Sequence, residues 1–241
     1  MGNIGLITLS KTFSNKKYAE DFLNGKLRFM PLDYYTNLEG DSREDKYEGI
    51  SSMFQPNFSV FIIDGVELDS SSLAGPILFR ESKDAMHIFC MSAFYYKDDG
   101  KLFETEEEIL NEINKPSKTK LLSFGKISGI IIDINEFIKR IDRVAKEKSI
   151  YYKRDFVKYI NLKDFHGNIE KPGFIKDLKY KDEVEYRFAL KGLGNEPFIL
   201  DIGDINDIAV IIETDHIDKL SIKSKEEWYN SKRKSIIKSY F

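Results

Sequence analysis

Cysteine is almost absent from this chain, in which Cys90 is the only one among 241 residues. A single cysteine cannot form an intramolecular disulfide, so a small secreted disulfide scaffold is excluded. Apolar runs are also short, and none approaches the roughly 18 residues expected of a membrane-spanning helix. The N-terminal stretch Met1 to Thr12 lacks the basic start and long apolar core of a signal peptide. We therefore expect a cytoplasmic protein without a membrane segment.

Positive charge is not in excess, because 37 lysines and arginines face 40 aspartates and glutamates, a net charge of −3. Proteins that bind polyanions are usually basic, so a nucleic-acid partner is disfavoured. The cluster of Asp201, Asp204 and Asp207 is typical of strand ends and turns rather than of a nuclease metal site.

Motifs for phosphate and metal binding are lacking as well. Gly192-Leu193-Gly194 is only a G-x-G between two predicted strands, which indicates a hairpin turn. His87 and Cys90 have an H-x₂-C spacing, but they would point to opposite faces of a strand and no second ligand pair accompanies them. Cys90 itself lies in an apolar run and is interpreted as a small core residue. We expect no metal site.

What the sequence does contain is ordinary globular composition, with 41% apolar and 32% charged residues. Strand patterns outnumber helix patterns and do not alternate with them. We therefore expect residues 1–241 to form a single α+β domain of mixed or antiparallel sheets with flanking helices, rather than a doubly wound fold. The predicted strands are 5–12, 26–30, 77–80, 86–94, 129–134, 151–160, 180–190, 198–200 and 208–212.

Several local signals give individual elements. Asp64-Gly65 between two apolar runs predicts a β-hairpin over Phe58 to Leu68. The apolar spacing of residues 137–145 predicts an amphipathic helix. Other helices are expected after Ser14, which could cap a helix that stops at Gly25, and after the capping boxes Thr105/Glu108 and Ser224/Glu227.

Charged side chains concentrate in two places. Residues 39–48 carry five acidic and two basic side chains, and we interpret them as a solvated loop rather than a calcium site because the regular D-x-D-x-D-G spacing is missing. In the predicted strand 180–190, Glu183, Glu185 and Arg187 would share one face. That row suits either a charged site or a solvent-exposed face with cross-strand ion pairs, and we favour the exposed face.

Three segments, taken in order, resemble a large family of bacterial and phage proteins of unknown function whose genes often lie near abortive-infection (phage-defence) genes. They are residues 19–35 running into Arg43, Asp45, Glu48 and Gly49; residues 88–94; and residues 174–176 followed by 180–190. Gly129 to Asp133 and Val157 to Tyr159 match two further short motifs. The chain departs from the family at residues 95–100, which lack the Trp and His often found there.

The same layout is similar to ADP-ribosyltransferase folds, which bind NAD in a cleft between two split sheets. By this resemblance, Arg28 holds the NAD diphosphate and Ser92 supports the nicotinamide ribose. Glu185, or else Glu183, binds the ribose hydroxyl and stabilises the oxocarbenium-like state. Tyr34 or Tyr35 stacks on the nicotinamide. For Arg28, the residues alone favour an ordinary surface position.

Two functions remain open on the sequence. The first is an NAD-dependent ADP-ribosyltransferase or NAD hydrolase, acting as a toxin or in phage–host conflict, and it requires Arg28, Ser92 and Glu185 to converge on one cleft. The second is a non-catalytic protein-binding module, a phage inhibitor or defence component. Tyrosine pairs such as Tyr34-Tyr35 and Tyr151-Tyr152 would supply its contacts with a protein target or partner. Oligomeric state is left open.

Overall fold

The computed structural model of the chain describes residues 3–38, 43–80, 86–98, 108, 111–191 and 193–219. Within these residues the strands are β1 (Asn3–Phe13), β2 (Lys26–Pro31), β3 (Ile50–Phe54), β4 (Phe61–Ile63), β5 (Val66–Leu68), β6 (Ile77–Arg80), β7 (His87–Asp98), β8 (Ile127–Ile131), β9 (Tyr152–Phe156), β10 (Lys158–Ile160), β11 (Gly167–Asn168), β12 (Ile175–Asp177), β13 (Glu185–Leu190), β14 (Phe198–Asp201) and β15 (Ala209–Glu213). The α-helices are α1 (Lys16–Leu23), α2 (Leu32–Thr36), α3 (Lys118–Phe124) and α4 (Ile134–Glu147), and short 3₁₀ turns join several elements.

The largest sheet has the strand order β14-β2-β7-β1-β8-β15, and β13 and β9 extend it from the other edge of β7. Its strand pairs are antiparallel, and among the described pairs only β10 and β12 run parallel. Three small sheets, β11-β3-β6, β10-β12 and β4-β5, accompany it. The expected α+β class with mixed or antiparallel sheets is confirmed.

Strand β7 is where the large sheet divides. One edge of β7 pairs with β13 from His87 to Ser92. The opposite edge pairs with β2 only as far as Ile88, and with β1 only from Ser92 onward. Between these two points β1 and β2 part from each other. The backbone of Phe89, Cys90 and Met91 therefore has no strand partner on that edge within the described residues.

The two faces of the divided sheet differ in chemistry because side chains alternate along a strand. Phe89 and Met91 of β7 and Phe188 of β13 point to one face, where Phe22 of α1 and Phe137 of α4 pack on them as the main apolar core. Helix α4, predicted from its apolar spacing, is confirmed, and Asp133 caps it by accepting the Glu136 N–H at 2.9 Å.

The second face carries Cys90, Ser92, Glu185 and Arg187, which are cross-strand neighbours on β7 and β13. A smaller apolar cluster formed by Leu32, Ile88, Phe174 and Ala189 lies beside them. The sheet thus separates a hydrocarbon core from a polar layer.

The hairpin signal is confirmed. Strands β4 and β5 pair through a two-residue turn in which Asp64 and Gly65 have positive φ values of 51° and 80°, the left-handed conformation that Asp tolerates and Gly adopts freely.

Two local predictions were wrong. Helix α1 begins after Asn15 rather than Ser14, since the Asn15 side chain accepts the Tyr18 N–H at 3.1 Å. The strand expected over 180–190 begins only at Glu185, because residues 178–183 form a 3₁₀ turn that ends at Val184 with a φ of +45°. The helix expected after Ser224 and most of the one expected after Thr105 lie outside the described residues.

Candidate functional site

A cleft of about 350 Å³ opens where β1 and β2 part on the edge of β7. Volumes of this size are typical of small-molecule sites. Its walls come from β1, β2, β7, α1 and α2 and from the ionic groups of β12 and β13. The lining includes Ser10, Lys11, Arg28, Tyr34, Tyr35, Arg43, Glu48, Cys90, Ser92, Lys176, Glu183, Glu185 and Arg187.

A fully buried arginine forms the centre of the polar layer. The Arg187 guanidinium, 1% exposed, binds both oxygens of Glu48 through Nη1 and Nη2 at 2.7 Å each. Its Nε donates to Glu185 at 2.5 Å, and Nη1 also donates to the Gly173 carbonyl at 2.8 Å. This fork-to-fork geometry is the strong form of an arginine–carboxylate pair. Glu48 therefore ties the 43–50 segment to β13.

A buried lysine adds a second cation to the layer. The Lys176 ammonium donates to Glu183 at 2.5 Å and to Glu185 at 3.2 Å. Lys120 lies 3.0 Å from the other oxygen of Glu183. These pairs fix Glu183 and Glu185 although the two residues belong to different local structures.

Glu185 is a permanently charged group at neutral pH. Burial by itself would raise the pKa of its carboxyl, but Arg187 and Lys176 outweigh burial and hold that pKa well below its ordinary value. For Lys176, burial would lower the pKa, and Glu185 and Glu183 reverse this and raise it well above normal. The cleft thus has a fixed negative carboxylate in its polar wall.

Two cations of the cleft have no carboxylate partner among the described residues. The Lys11 ammonium donates to the carbonyl of Cys90 at 2.6 Å, using the backbone edge that the divided sheet leaves open, and it lies 4.9 Å from the Phe89 ring centre. Burial lowers the pKa of Lys11. The Arg28 side chain on β2 is exposed at the cleft and has no ion pair or hydrogen bond to any residue that the structure describes. Both are available to an anionic ligand.

Two tyrosines of α2 form another wall. Their rings lie edge to face with centroids 5.3 Å apart. Tyr34 is 37% exposed, which leaves ring surface available at the cleft. Tyr35 lies deeper, and burial, with Cys90 and Glu185 nearby, raises the pKa of its phenol well above normal, so the hydroxyl stays protonated.

The six residues that the sequence singled out for NAD, namely Arg28, Tyr34, Tyr35, Ser92, Glu183 and Glu185, all line this cleft. Ser92 is paired in register with Ser10 on one side and with Glu185 on the other. Arg28 stands on the opposite wall, on the strand that parts from β1.

Two expectations about charge were wrong. Glu183, Glu185 and Arg187 do not form a solvent face, since they are only 4%, 5% and 1% exposed. Asp45 and Glu48 are buried as well, so this end of the predicted solvated loop is part of the polar layer. Residues 39–42 of that loop lie outside the described part of the chain.

The sequence interpretation missed Lys11 and Lys176 as cleft residues. Lys11 follows the alternating pattern of an ordinary strand, and only the divergence of β1 and β2 turns it toward the cleft. Lys176 had one signal, its place in the short segment 174–176 next to the acidic residues of 180–190. Cys90 packs against the apolar cluster that includes Ile88 and Ala189, as expected of a core residue, and it also lines the cleft. Burial raises the pKa of its thiol.

His87 and Cys90 do not meet, as expected for residues three apart on a strand. His87 is fully buried, and its Nε2 lies 2.8 Å from the Glu196 carbonyl.

In the described part of the chain, no group of three or more His, Cys, Asp or Glu side chains is placed to hold a metal ion. No helix there is long and apolar enough to cross a membrane.

No family model, curated protein or solved structure matches the chain.

Proposed function

We propose that the protein binds NAD in the cleft between β1 and β2 and cleaves the bond between nicotinamide and ribose, passing ADP-ribose to an acceptor or to water. The observation that supports this most is the convergence of an arginine unpaired within the described residues, an accessible aromatic ring and a fixed carboxylate on one cleft. An NAD molecule presents a diphosphate, a planar cationic ring and a ribose that becomes positive as the ring leaves.

Arg28 and Lys11 suit the diphosphate. A guanidinium offers paired donors to phosphate oxygens. Neither side chain is committed to a carboxylate within the described residues. Binding of a diphosphate would therefore not require breaking an existing ion pair.

Glu185 suits the developing positive charge on the ribose. Stabilisation of such a charge by a preorganised carboxylate is a large contribution in enzymes. Because Arg187 and Lys176 already donate to its oxygens, we assign Glu185 an electrostatic role rather than that of a proton acceptor. Its low pKa keeps it charged at neutral pH.

The proposal also includes a split-sheet layout like that of ADP-ribosyltransferases. The parting of β1 and β2 beside Cys90 supports it, as does the place of Ser92 and Glu185 on neighbouring strands. Tyr34 supplies the exposed ring for nicotinamide stacking, and Ser92 the hydroxyl for the ribose.

Release of nicotinamide from NAD tests this function. The purified protein is incubated with NAD, with and without cell lysate as a source of acceptors, beside the variants Arg28→Ala and Glu185→Gln. The matched control is Arg143→Ala, since Arg143 is an exposed arginine of α4 that does not line the cleft. We expect release that Arg28→Ala lowers at least about tenfold, corresponding to about 1.4 kcal/mol, and that Arg143→Ala leaves unchanged.

The fold of each variant is checked by its urea unfolding midpoint, because Glu185 is buried in an ion network. Absence of nicotinamide release from the wild-type protein under every condition would reject the catalytic function. Equal release by wild type and a folded Arg28→Ala variant would remove this cleft as its site.

A second candidate function is protein binding without catalysis, in a phage inhibitor or a defence component. The observation that favours it lies elsewhere in the chain, in residues 58–79, where several large apolar side chains are exposed.

A further inference from the structure

Residues 54–79 expose an unusual amount of apolar surface. Six large apolar side chains between Phe58 and Phe79 are 55–72% exposed; they are Phe58, Val60, Ile62, Ile63, Val66 and Phe79, and we call them the apolar surface. Scattered exposed apolar residues are normal, whereas their concentration in one short segment makes that segment a candidate interaction site.

Part of this surface is a fixed row of rings. Phe58 contacts His166 with ring centres 5.6 Å apart, His166 contacts Phe54 at 5.5 Å, and Phe54 contacts Phe79 at 5.9 Å, all edge to face. Aromatic side chains of this kind are frequent anchors in protein interfaces.

Hydrogen bonds hold the row in place. The Gln55 backbone N–H donates to His166 Nδ1 at 3.2 Å, and the Gln55 side chain donates to the carbonyls of Lys163 and Phe165 at 3.1 and 3.0 Å. An interface whose side chains are already ordered loses less entropy on binding. The ring positions are therefore set before a partner arrives.

Charge around the apolar surface is mainly negative, although Arg80 directly follows Phe79. Residues 49–79 contain no lysine or arginine but three carboxylates, Asp64, Glu67 and Asp69. The adjoining loop adds Lys163 and Asp164, whose charges cancel. Complementary charge favours a cationic partner and disfavours an anionic lipid surface.

The hairpin also offers main-chain groups. Strands β4 and β5 pair only with each other among the described strands, so each has an open outer edge. Open edges accept an added strand from another chain.

We propose that the apolar surface docks a protein partner through an extended segment in which apolar residues alternate with lysine or arginine. The apolar side chains of that segment pack on the aromatic row and the hairpin, and its cations face Asp64, Glu67 and Asp69. This inference deepens the second candidate function. No residue of the apolar surface lines the cleft, so it is independent of NAD binding.

The test uses short fluorescent peptides and anisotropy titrations. The main probe alternates leucine and arginine; the comparison probes alternate leucine with glutamate, and serine with arginine. The protein variants are Phe58→Ser/Ile63→Ser on the apolar surface and Asp64→Asn/Glu67→Gln on its rim. Asn keeps the left-handed turn at position 64. The matched control is Ile132→Ser/Tyr151→Ser. These two side chains lie outside the apolar surface and are similarly exposed, at 61% and 63%.

We expect the leucine–arginine peptide to bind the wild type and the control variant alike. The apolar variant should lose at least about tenfold in affinity. The rim variant should bind more weakly, with a smaller dependence on salt. Both comparison peptides should bind at least about tenfold more weakly than the main probe.

Other results would overturn the proposal. They are no binding of the leucine–arginine peptide, equal binding by the apolar variant, or equal binding of the leucine–glutamate peptide. Binding to phosphatidylcholine or phosphatidylserine vesicles that Phe58→Ser/Ile63→Ser abolishes would identify a membrane as the occupant. A dimer in sedimentation that the same variant dissociates would identify a second copy of the chain.

Discussion

The cleft and the apolar surface invert the usual distribution of side chains in a globular protein. At the cleft, charged groups such as Arg187, Glu48 and Lys176 are removed from water, and each has opposite charges as partners. On the apolar surface, Phe58 and Ile63 stay in water without a cover from the described residues. Burying a charge and exposing an aromatic ring both oppose folding. Their coexistence supports the proposal of two separate sites.

The difference also concerns cooperativity. A buried ion network connects distant segments, since Glu48 and Arg187 stand 139 residues apart in sequence. Loss of one member leaves its partners charged and buried without an opposite charge. The apolar surface has few such dependencies, and single changes there should affect binding rather than folding. Changes in the free energy of unfolding should therefore distinguish the two regions.

The largest effect is expected from Arg187→Met. This change leaves Glu48 and Glu185 buried beside each other without their guanidinium, and breaking a buried pair costs about 3–5 kcal/mol. Urea unfolding at neutral pH measures the loss. Arg154→Met is the matched control, because Arg154 lies on the neighbouring strand β9 and pairs with Asp142 near the surface, where such pairs contribute about 0–1 kcal/mol. Equal losses in both variants would contradict the role of the buried network.

A smaller effect of opposite sign is expected from Asp45→Asn. Burial, together with Glu48, raises the pKa of Asp45 from 3.8 to about 6. Between pH 3.8 and about pH 6, Asp45 keeps its proton in the folded chain and releases it in the unfolded chain. The free energy of unfolding therefore falls as the pH rises through this range. Removing the charge should therefore stabilise the protein by up to about 3 kcal/mol at neutral pH.

The same substitution provides its own control, because the stabilisation should disappear below about pH 4, where Asp45 is protonated in both states. The amide oxygen of the substituted side chain can still accept the Tyr47 N–H that Asp45 now accepts at 3.0 Å. Unfolding curves at several pH values measure the difference. A gain that does not depend on pH would show that the carboxylate charge is not its cause.

The smallest effect on folding is expected on the apolar surface. Phe58→Ser and Ile63→Ser should change the free energy of unfolding by less than about 0.5 kcal/mol, because these side chains are already largely in water. Phe29→Ser, at a fully buried position, is the contrasting variant and should cost several kcal/mol. A large loss of stability in Phe58→Ser would mean that other residues of the same chain cover the apolar surface.

Much of the fold could be predicted from local sequence. The Asp64-Gly65 turn and the apolar spacing of α4 are consequences of backbone conformation and periodicity, which nearby residues determine. The start of β13 could not be predicted, because the left-handed Val184 depends on tertiary packing around it.

The cleft also has residues that could be predicted from the sequence and residues that could not. A resemblance pointed to Arg28, Ser92 and Glu185, and the structure brings them to one cleft. Residue patterns alone placed Glu185 and Arg187 in solvent, because a row of charges on alternate strand positions is the usual mark of an exposed face. Their burial follows from Glu48 and Lys176, partners that strand periodicity within 180–190 does not reveal.

Calorimetric titration of the wild-type protein with NAD, beside Arg28→Ala and Arg143→Ala, tests the central claim most directly. Arg28 is exposed and unpaired within the described residues, so its loss should not disturb the fold. We expect binding that Arg28→Ala weakens at least about tenfold, whereas Arg143→Ala binds NAD like the wild type. Absence of binding to the wild type, or equal affinity in all three proteins, would contradict an NAD site between β1 and β2.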